Sequence, residues 1–490
     1  WNAENCIQCN RCAYVCPHAV IRPVALTAEE AANAPEGMKT LDLTGMKEYK
    51  FTMSVSALDC TGCGSCVNVC PGKKGAKALA MENLEASADE QKYFDYTVKL
   101  PVKEDVIAKF KEATVKGSQF KQPLLEFSGA CAGCGETPYA KLITQLFGDR
   151  MYIANATGCS SIWGNSSPST PYTVNAKGQG PAWSNSLFED NAEFGYGMLL
   201  AQRAIRDGLK AKVEDVVANG TNEDVKAAGQ EWLDTFAVGA TNGAATDKLV
   251  AALEACGCDK AKEILAQKDF LAKKSQWIFG GDGWAYDIGF GGVDHVLASG
   301  RDINVMVFDT EVYSNTGGQS SKSTPTGAIA QFAAGGKETK KKDMASIAMS
   351  YGYVYVAQIS MGADFNQTVK AIAEAEAYPG PSLIIAYAPC INHGIKKGMA
   401  KAQTEEELAV KVGYWHNFRF NPAAEGNKFS LDSKAPSMED YQAFLDGEVR
   451  YNSLKRQNPE KAARLFAKNE AEAKARFEYL QKLIALHSAE

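Results

Sequence analysis

Hydrophobic and polar positions follow two different patterns along this chain. Through roughly the first hundred residues the apolar runs are short and interrupted by Cys, Gly and Pro, so neither a helical nor a strand period is sustained. From about residue 120, short β-rich runs alternate with helical stretches. The runs are Met151–Ala154, Trp277–Phe279, Ile303–Phe308, Tyr353–Gln358 and Leu383–Ala386. This order predicts an α/β fold with right-handed βαβ units in a doubly wound, mainly parallel sheet.

Two further segments lack the β-rich runs. Residues from about 205 to 275 are rich in Ala, Lys, Glu and Asp, and they predict a helical insertion on the surface. Beyond about residue 405 the chain becomes polar, and Asn458-Pro459-Glu460 predicts the start of a long terminal helix. Its apolar stripe favours packing on its own domain over a partner-binding arm. The stripe comprises Leu465, Phe477, Leu480 and Ile484.

Composition narrows the class of protein. The chain has 490 residues, of which 45% are hydrophobic, so it can bury several cores. Its net charge of -6 argues against nucleic acid as a main partner. No apolar run has the length of a signal peptide or reaches the roughly 20 residues of a membrane span, so we expect a cytoplasmic protein. The chain opens with Trp1 rather than Met, and we expect it to be part of a longer polypeptide.

Cysteine is the informative residue type. Eight of the 14 Cys fall in two tight runs and four more accompany glycine-rich turns, a distribution that indicates metal ligation rather than disulfides. Cys256 and Cys258 belong to neither group. A single intervening residue would give a strained disulfide, so we interpret both as free thiols.

The two tight runs have identical spacing. Cys6-x2-Cys9-x2-Cys12-x3-Cys16-Pro17 recurs as Cys60-x2-Cys63-x2-Cys66-x3-Cys70-Pro71. Such gaps let one loop supply three corners of a [4Fe–4S] cubane, while the fourth Cys of each run ligates the other cluster. We therefore assign Cys6, Cys9, Cys12 and Cys70 to one cluster, and Cys60, Cys63, Cys66 and Cys16 to the other. Zinc also uses Cys-x2-Cys pairs, but it rarely adds a third Cys and a Cys-Pro.

This duplicated pattern resembles a small α+β bacterial two-cluster ferredoxin domain, here residues 1–115. The 43 residues between Cys16 and Cys60 exceed what a minimal ferredoxin needs, and we interpret them as an inserted loop. Small residues beside the second run, Gly62, Gly64 and Ser65, predict backbone amides close to sulfur.

A glycine-rich turn joins two predicted strands. Gly280–Trp284 can close on a diphosphate at a helix N-terminus, and Asp282 can bind Mg²⁺ with oxygen donors from the next strand end. Alone, Gly-Asp-Gly would be interpreted as a plain turn. Asp282 and Thr310 are 28 residues apart, however, the length of a helix plus a strand. The arrangement resembles the thiamine diphosphate motif, with Thr310 in place of the usual Asn, and implies Asp282, Thr310 and the Val312 carbonyl as Mg²⁺ ligands.

Four Cys lie far apart in the sequence: Cys131, Cys134, Cys159 and Cys390. Each alone would be interpreted as a buried thiol. Cys159 and Cys390 follow predicted strands, however, and so lie at the sheet edge that carries Asp282 and Thr310. The sequence therefore predicts a third [4Fe–4S] cluster beside the thiamine diphosphate. The predicted α/β domain covers residues 116–405, including the 205–275 insertion, and the helical terminal segment covers residues 406–490.

Four segments together resemble pyruvate:ferredoxin oxidoreductase, in the carboxyl-terminal half of its single-chain form. They are Cys131–Tyr139, Thr157–Ser161, Gly281–Gly289 and Tyr313–Gln319. The resemblance implies an enzyme of anaerobic metabolism that converts pyruvate and coenzyme A into acetyl-CoA and CO2. It also implies that electrons pass singly through three clusters to ferredoxin or flavodoxin, and that the full-length chain forms a homodimer.

The same resemblance implies which residues contact thiamine diphosphate. They are Glu136, Cys159, Gly281, Asp282, Gly283, Trp284, Thr310, Glu311, Val312, Tyr313, Ser314 and Asn315. Asn315 would reach the substrate and is the predicted catalytic residue. The pyrimidine-activating Glu and the carboxylate-binding residues are expected outside this chain. Open alternatives are a related enzyme for 2-oxoglutarate, indolepyruvate or oxalate, a non-catalytic iron–sulfur electron carrier, and a zinc-binding scaffold.

The remaining charged motifs predict no site. His18, His295, His393, His416 and His487 fall in no ligand pattern and are interpreted as ordinary surface or core residues. Lys337 and Lys340–Lys342 favour a solvated loop over a docking patch for an acidic ferredoxin.

Overall fold

Two β-sheets organise the chain in a computed structural model that describes residues 1–165 and 169–487. Residues 166–168 of the predicted α/β domain and 488–490 of the predicted terminal segment lie outside the described residues. The strands are β1 (Ile21–Leu26), β2 (Leu41–Asp42), β3 (Lys50–Val55), β4 (Met151–Ala156), β5 (Ala182–Ser186), β6 (Ser275–Gly281), β7 (Ile303–Asp309), β8 (Tyr355–Ile359), β9 (Pro381–Tyr387), β10 (Phe418–Phe420) and β11 (Phe429–Leu431).

Helices connect and cover these strands. They are α1 (Arg11–Tyr14), α2 (Ala28–Ala32), α3 (Ser65–Val69), α4 (Leu84–Ser87), α5 (Gln91–Thr97), α6 (Glu104–Phe110), α7 (Val115–Ser118), α8 (Thr137–Phe147), α9 (Cys159–Gly164), α10 (Asn191–Asn219), α11 (Glu223–Asp234), α12 (Gly239–Cys256), α13 (Asp259–Leu265), α14 (Phe290–Ala298), α15 (Met344–Met349), α16 (Phe365–Ala377), α17 (Ala402–Lys411), α18 (Tyr441–Asp446), α19 (Val449–Gln457) and α20 (Pro459–Leu486). Short 3₁₀ turns cover Ala3–Asn5, Ala88–Glu90, Gly148–Arg150, Lys268–Phe270, Ile391–His393, Met399–Lys401 and Met438–Asp440, and a π-helical turn covers Gly283–Ile288.

The smaller sheet lies between the two cysteine runs. Its strand order is β1-β3-β2 with antiparallel pairing, and Ile21 lies opposite Val55. Ala25, Leu43 and Phe51 are buried in the core that this sheet forms with the cysteine-bearing segments. The prediction of an inserted loop between Cys16 and Cys60 is therefore wrong. The sequence of β3 does not show the usual alternation of apolar and polar residues. Both faces of this strand are buried, so its polar Thr and Ser residues also point inward.

The larger sheet has the strand order β11-β10-β8-β9-β7-β6-β4-β5. Strands β4 to β9 pair in parallel, while β10 and β11 pair in an antiparallel manner at one edge. Each of the five predicted β-rich runs lies within or overlaps one of these parallel strands. The predicted doubly wound, mainly parallel α/β fold is confirmed.

Both faces of the larger sheet are buried under helices. Ile278, Val305 and Leu383 belong to the hydrophobic core on one face, whereas Trp277 and Met306 belong to the core on the other. Because successive side chains of a strand point to opposite faces, this double burial explains why β6 and β7 are continuous apolar runs.

The helical insertion is longer than predicted and has a core of its own. It starts at Asn191 rather than near residue 205, because α10 begins on the sheet and continues outward for 29 residues. Trp232, Leu249 and Leu253 are fully buried between α10, α11, α12 and α13. The segment is therefore a small helical unit that stabilises itself by burial.

The terminal helix α20 begins as predicted. Asn458 caps it by accepting a hydrogen bond from the backbone N–H of Lys461, and Pro459 occupies the first turn. Leu465 and Leu480 are buried against the core of the larger sheet. No helix in the described part of the chain combines the length and the apolar character that crossing a bilayer requires.

Candidate functional site

The two cysteine runs share a backbone conformation as well as a spacing. Two positions after the first Cys of each run the backbone is left-handed, with φ of 57° at Gln8 and 70° at Gly62. Four positions after it the same holds, with φ of 60° at Asn10 and 78° at Gly64. Gln8 has no glycine freedom, and its side-chain amide is held by donating to the Asp42 carbonyl at 2.8 Å. These turns curl each loop in the same way around its first three cysteines.

Backbone N–H groups point at sulfur in both runs. The donor–sulfur pairs are Gln8 N to Cys6 Sγ at 3.4 Å, Gly62 N to Cys60 Sγ at 3.4 Å, and Ala78 N to Cys70 Sγ at 3.3 Å. Such donors stabilise negative charge on cluster thiolates and tune the reduction potential. The amide–sulfur approach predicted beside the second run is present at Gly62.

The fourth Cys of each run lies with the other run. Burial raises the pKa of the Cys9 thiol, and the neighbouring Cys70 and Cys6 contribute to the rise. Burial likewise raises the pKa of Cys66 to about 12, with Cys16 as its strongest thiol neighbour. We call Cys6, Cys9, Cys12 and Cys70 the first set, and Cys60, Cys63, Cys66 and Cys16 the second set. The first set lines a cavity of about 20 Å³.

The four dispersed Cys meet at one edge of the larger sheet. Cys131 and Cys134 precede α8, Cys159 opens α9 just after β4, and Cys390 follows β9. These four, which we call the third set, line one cavity of about 140 Å³. Burial raises the pKa of Cys390 to about 11, and it raises those of Cys134 and Cys159 further. The pocket therefore disfavours free thiolates, a penalty that coordinated iron would offset.

Residues of the predicted thiamine site line the same cavity as the third set. They are Glu136, Thr310 and Asn315, together with Trp163. Glu136 is buried at the N-terminal end of α8, and its Oε2 accepts a hydrogen bond from Trp163 Nε1 at 2.6 Å. Burial raises the pKa of this carboxyl to about 7. Glu136 can therefore hold a proton near neutral pH at the cavity wall.

Three oxygen atoms of the predicted Mg²⁺ site converge where β6 and β7 end. Thr310 Oγ1 lies 3.0 Å from Asp282 Oδ1 and 3.0 Å from the Val312 carbonyl oxygen. All three residues are buried. The strands are parallel neighbours with Gly281 opposite Phe308, which sets the two strand ends side by side. Hard oxygen donors in such a group suit Mg²⁺.

The charge at Asp282 fits a bound cation. Burial raises the pKa of this carboxyl well above its usual range, and the nearby Asp309 raises it further. Ser321 donates to Asp282 Oδ2 at 2.6 Å. A divalent cation would favour the ionised form that burial penalises. In the described ranges, no three His, Cys, Asp or Glu side chains converge as they would on one ion, so beyond the Asp282 carboxylate Mg²⁺ would rely on hydroxyl, carbonyl and phosphate oxygens.

The glycine-rich turn has its own steric requirement. A Cβ at Gly283 would lie 2.4 Å from the ring of Tyr313, and a Cβ at Gly280 would lie 2.3 Å from the ring of Trp284. A Cβ at Gly281 would have only the Phe308 carbonyl oxygen nearby, at 3.9 Å. Gly283 and Gly280 are therefore needed because the rings of Tyr313 and Trp284 pack against them. The space beside Gly281 stays open.

Glu311 turns away from the cavity that Thr310 and Asn315 line. Its φ is 61°, and its carboxylate pairs with Arg450 at 2.8 Å and Lys341 at 3.0 Å. Tyr414 donates to it at 2.6 Å. Burial alone would raise the pKa of this carboxyl, but the Lys341 and Arg450 cations bring it down to about 2. Of the residues predicted to contact thiamine, Glu311 can contribute only through its backbone.

Several supporting residues have no signal in the sequence. Ser323 donates to Asp309 at 2.6 Å, Thr324 donates to the Glu311 carbonyl at 2.5 Å, and His393 Nε2 lies 2.7 Å from the Thr310 carbonyl oxygen. They fix the end of β7 and the start of the loop that follows it. Ser and Thr in loops bond to many partners, so the sequence could not identify which of them would meet here.

The predicted solvated lysine loop is wrong for most of its members. Lys341 pairs with Asp309 at 2.8 Å as well as with Glu311. Lys337 donates to the Ser321 carbonyl at 2.8 Å, and Lys342 donates to the Tyr286 carbonyl at 3.0 Å. These side chains brace the glycine-rich turn and the loop after β7.

The second set lies between the first and third sets. Cys12 and Cys66 are neighbours. After burial, the Cys66 thiol makes the largest contribution to the raised pKa of Cys12. On the other side, His18 Nε2 lies 3.0 Å from the carbonyl oxygen of Ala130, the residue before Cys131, and its Nδ1 lies 3.4 Å from Thr61 Oγ1. The three sets therefore form a continuous series.

A further contact joins the second and third sets. Asn68, on the helix of the second run, donates to the Ala400 carbonyl at 2.8 Å. The adjacent Met399 lines the cavity of the third set. This segment packs the second run directly against the cavity wall.

Comparison with known proteins agrees with this geometry. Residues 5–74 match a family model described as a 4Fe-4S dicluster domain. Residues 237–386 match one described as a thiamine pyrophosphate enzyme, C-terminal TPP binding domain. The predicted fold, a ferredoxin-type domain ahead of a thiamine diphosphate-binding α/β domain, is confirmed.

Similar sequences extend over almost the whole chain. A pyruvate-flavodoxin oxidoreductase from Enterobacter agglomerans is 57% identical over 99% of this chain and 41% of that protein. A pyruvate:ferredoxin oxidoreductase from Moorella thermoacetica is 58% identical over 99% of this chain and 42% of that protein. A pyruvate-flavodoxin oxidoreductase from Klebsiella pneumoniae is 55% identical, with coverages of 99% and 41%. The chain thus spans about two fifths of the length of these relatives.

Proposed function

We propose that this chain, which belongs to the family of the pyruvate-flavodoxin and pyruvate:ferredoxin oxidoreductases, contributes half of a thiamine diphosphate site and three [4Fe–4S] clusters to such an enzyme. The whole enzyme would decarboxylate pyruvate oxidatively with coenzyme A, giving acetyl-CoA and CO2. Its electrons would leave singly to ferredoxin or flavodoxin.

One observation carries this proposal. The four Cys of the third set, Thr310 and Asn315 line a single cavity. A pure electron carrier would have no need of an oxygen-rich cation site against one of its clusters. The shared cavity favours an enzyme in which electrons pass directly from the reacting centre to a cluster.

The oxygen donors at the strand ends would hold Mg²⁺. Asp282, Thr310 and the Val312 carbonyl would supply three oxygen ligands from the protein, and the bound diphosphate would supply others. Ser321 orients Asp282 through its hydrogen bond to Oδ2. The open side of Gly281 and the N–H groups that start the turn at Gly283 would receive the diphosphate.

Thiamine diphosphate, when bound, supplies the electron sink for decarboxylation of a 2-oxoacid. The part of this chain is to position that cofactor and exclude water. Trp163, which is buried, lines the cavity beside Cys159, and Asn315, which is exposed, lines it as well. We assign Asn315 to the substrate and Glu136 to the cofactor at the inner wall.

The order of the sets suggests the order of electron transfer. Electrons would enter the third set beside the cavity, pass to the second set, and leave from the first set. His18 and the Asn68–Ala400 contact pack the second and third sets together. Ile7, between two Cys of the first set, is 48% exposed, which supports this end as the exit to an external carrier.

Reduction of the carrier by pyruvate tests the proposal. The purified enzyme, assayed without oxygen, should reduce ferredoxin or flavodoxin only when both pyruvate and coenzyme A are present. Its kcat/KM for pyruvate should exceed that for 2-oxoglutarate, indolepyruvate or oxalate. A higher value for another 2-oxoacid would reassign the substrate, and no 2-oxoacid-dependent reduction would overturn the enzyme assignment.

A further inference from the structure

Cys256 and Cys258 face each other on the surface of the helical insertion, apart from the three cysteine sets. Cys256 is the last residue of α12, and Gly257 follows in a left-handed conformation with φ of 59°. The Gly257 N–H caps the helix by donating to the Leu253 carbonyl at 3.1 Å. This turn reverses the chain and brings the sulfur atoms of Cys256 and Cys258 to 2.9 Å.

The two thiols are chemically unequal. The Cys256 S–H donates to the Cys258 sulfur, which lowers the pKa of Cys258 and raises that of Cys256. A backbone N–H of Ala261 also lowers the pKa of Cys258. Cys258 is exposed and Cys256 is half-buried. An exposed thiol with a stabilised thiolate beside a second, protonated thiol is the arrangement of an attacking and a resolving cysteine.

The spacing decides what such a pair can do. A disulfide across one intervening residue closes a small, strained ring. Strained and exposed disulfides are the labile ones, whereas structural disulfides resist reduction. The core of the insertion is supplied by Trp232 and its neighbours, so the fold does not depend on a bond between these two cysteines.

We propose that Cys256-Gly257-Cys258 is a thiol–disulfide exchange site for exposed, low-molecular-weight disulfides such as oxidised glutathione. The Cys258 thiolate attacks one sulfur of the disulfide, forming a mixed disulfide and releasing one thiolate. Cys256 then loses its proton and attacks the Cys258 sulfur, releasing the second thiolate. Two electrons pass from the pair to the small disulfide, and the pair is left as a disulfide.

Trypsin isolates this pair from every cluster cysteine. Cleavage after Lys248 and Lys260 gives the peptide Leu249–Lys260, whose only cysteines are Cys256 and Cys258. The holoenzyme is incubated under nitrogen with a large excess of oxidised glutathione, which drives formation of the strained disulfide. It is then alkylated and digested, and the peptide masses are measured by mass spectrometry. The peptide should change from doubly alkylated to an unalkylated form about 2 Da lighter than the dithiol, and excess reduced glutathione should reverse the change. A peptide that stays doubly alkylated would overturn the proposal.

Two serine variants test the separate roles. In Cys256→Ser, Cys258 should retain glutathione as a mixed disulfide about 305 Da heavier, because no resolving thiol remains. In Cys258→Ser, Cys256 should react at least about tenfold more slowly. Equal rates in the two variants would overturn the assignment of Cys258 as the attacking thiol. Unchanged iron and thiamine contents serve as the control for folding, and they separate a failure here from a failure of the proposed enzyme function.

Discussion

The sulfur of Cys159 lies 3.2 Å from the hydroxyl oxygen of Ser314, although the two residues are 155 positions apart. Cys159 opens the helix after β4, and Ser314 belongs to the loop after β7. The contact joins the third cysteine set to the loop that carries Thr310 and Asn315. It links the two chemistries that we assign to this chain.

Replacing Ser314 tests that link. The Ser314 hydroxyl would donate to a cluster sulfur and stabilise the reduced cluster, so Ser314→Ala should lower the reduction potential of the third cluster. A hydrogen bond of about 1 kcal/mol corresponds to ~40 mV for a one-electron couple. Potentiometric titration followed by electron paramagnetic resonance measures the shift. Thr316→Ala, whose hydroxyl bonds to Gln319 instead, is the matched control and should leave the potential unchanged.

Replacing Asp282 tests the cation site. Asp282→Asn removes the charged ligand, so thiamine diphosphate and Mg²⁺ should bind at least about tenfold more weakly, with iron content unchanged. Asp294→Asn, on α14 away from the site, should bind both normally. Isothermal titration of the apo protein with thiamine diphosphate and Mg²⁺ measures the difference. Equal affinity in Asp282→Asn and wild type would remove Asp282 from the ligand set.

The glycine-rich turn gives a steric prediction. Gly283→Ala places a Cβ 2.4 Å from the Tyr313 ring, and this overpacking should cost about 1–3 kcal/mol and weaken thiamine binding. Gly291→Ala, in the adjacent α14 with no atom within 4 Å, should be neutral or stabilising. Thermal unfolding of the holo protein compares them. If both variants unfold at the wild-type temperature, the Tyr313 ring does not require a glycine at position 283.

The cysteine positions were predictable because cluster chemistry constrains spacing within a short segment. The two strand ends at Asp282 and Thr310 were predictable because the interval between them is one helix and one strand. By contrast, Gln8 and Asn10 adopt left-handed backbones that the sequence does not signal, since only their glycine counterparts Gly62 and Gly64 are suggestive. At Gln8 and Asn10, hydrogen bonds from the side chains to distant parts of the chain stabilise the left-handed backbone.

The polar supports of the site could not be predicted for a related reason. Ser321 donates to Asp282, and His393 contacts the Thr310 carbonyl, although each pair is far apart in the sequence. The sequence predicts that Lys341 is solvated, because a cluster of charged residues is usually exposed. In the fold its ammonium group has two buried carboxylates, Asp309 and Glu311, as partners.

Acid should destabilise the fold through His416. This ring is buried against α20 and packs at a tilt on Phe477, with 5.7 Å between ring centroids. Burial, together with the nearby Arg476 cation, lowers the pKa of His416 to about 4. Between pH 6.5 and 4 the unfolded chain therefore binds a proton that the folded chain does not, so stability falls as the pH falls. The loss at pH 5 should be about 2 kcal/mol relative to pH 7.

Replacing His416 alone isolates its contribution to the acid sensitivity. His416→Phe keeps an aromatic ring against Phe477, so its melting temperature should fall less between pH 7 and pH 5 than that of the wild type. His295→Asn, at an exposed position of α14, should show the wild-type fall. Scanning calorimetry at the two pH values measures both. Equal falls in His416→Phe and wild type would show that His416 does not set the acid sensitivity.

The content of iron, acid-labile sulfide and thiamine in anaerobically purified protein tests the central claim most directly. Three cubanes and one thiamine site predict about twelve irons, about twelve sulfides and about one thiamine diphosphate per chain. About eight irons without thiamine would instead identify a two-cluster electron carrier. That result would contradict the assignments of Asp282, Thr310 and the third cysteine set.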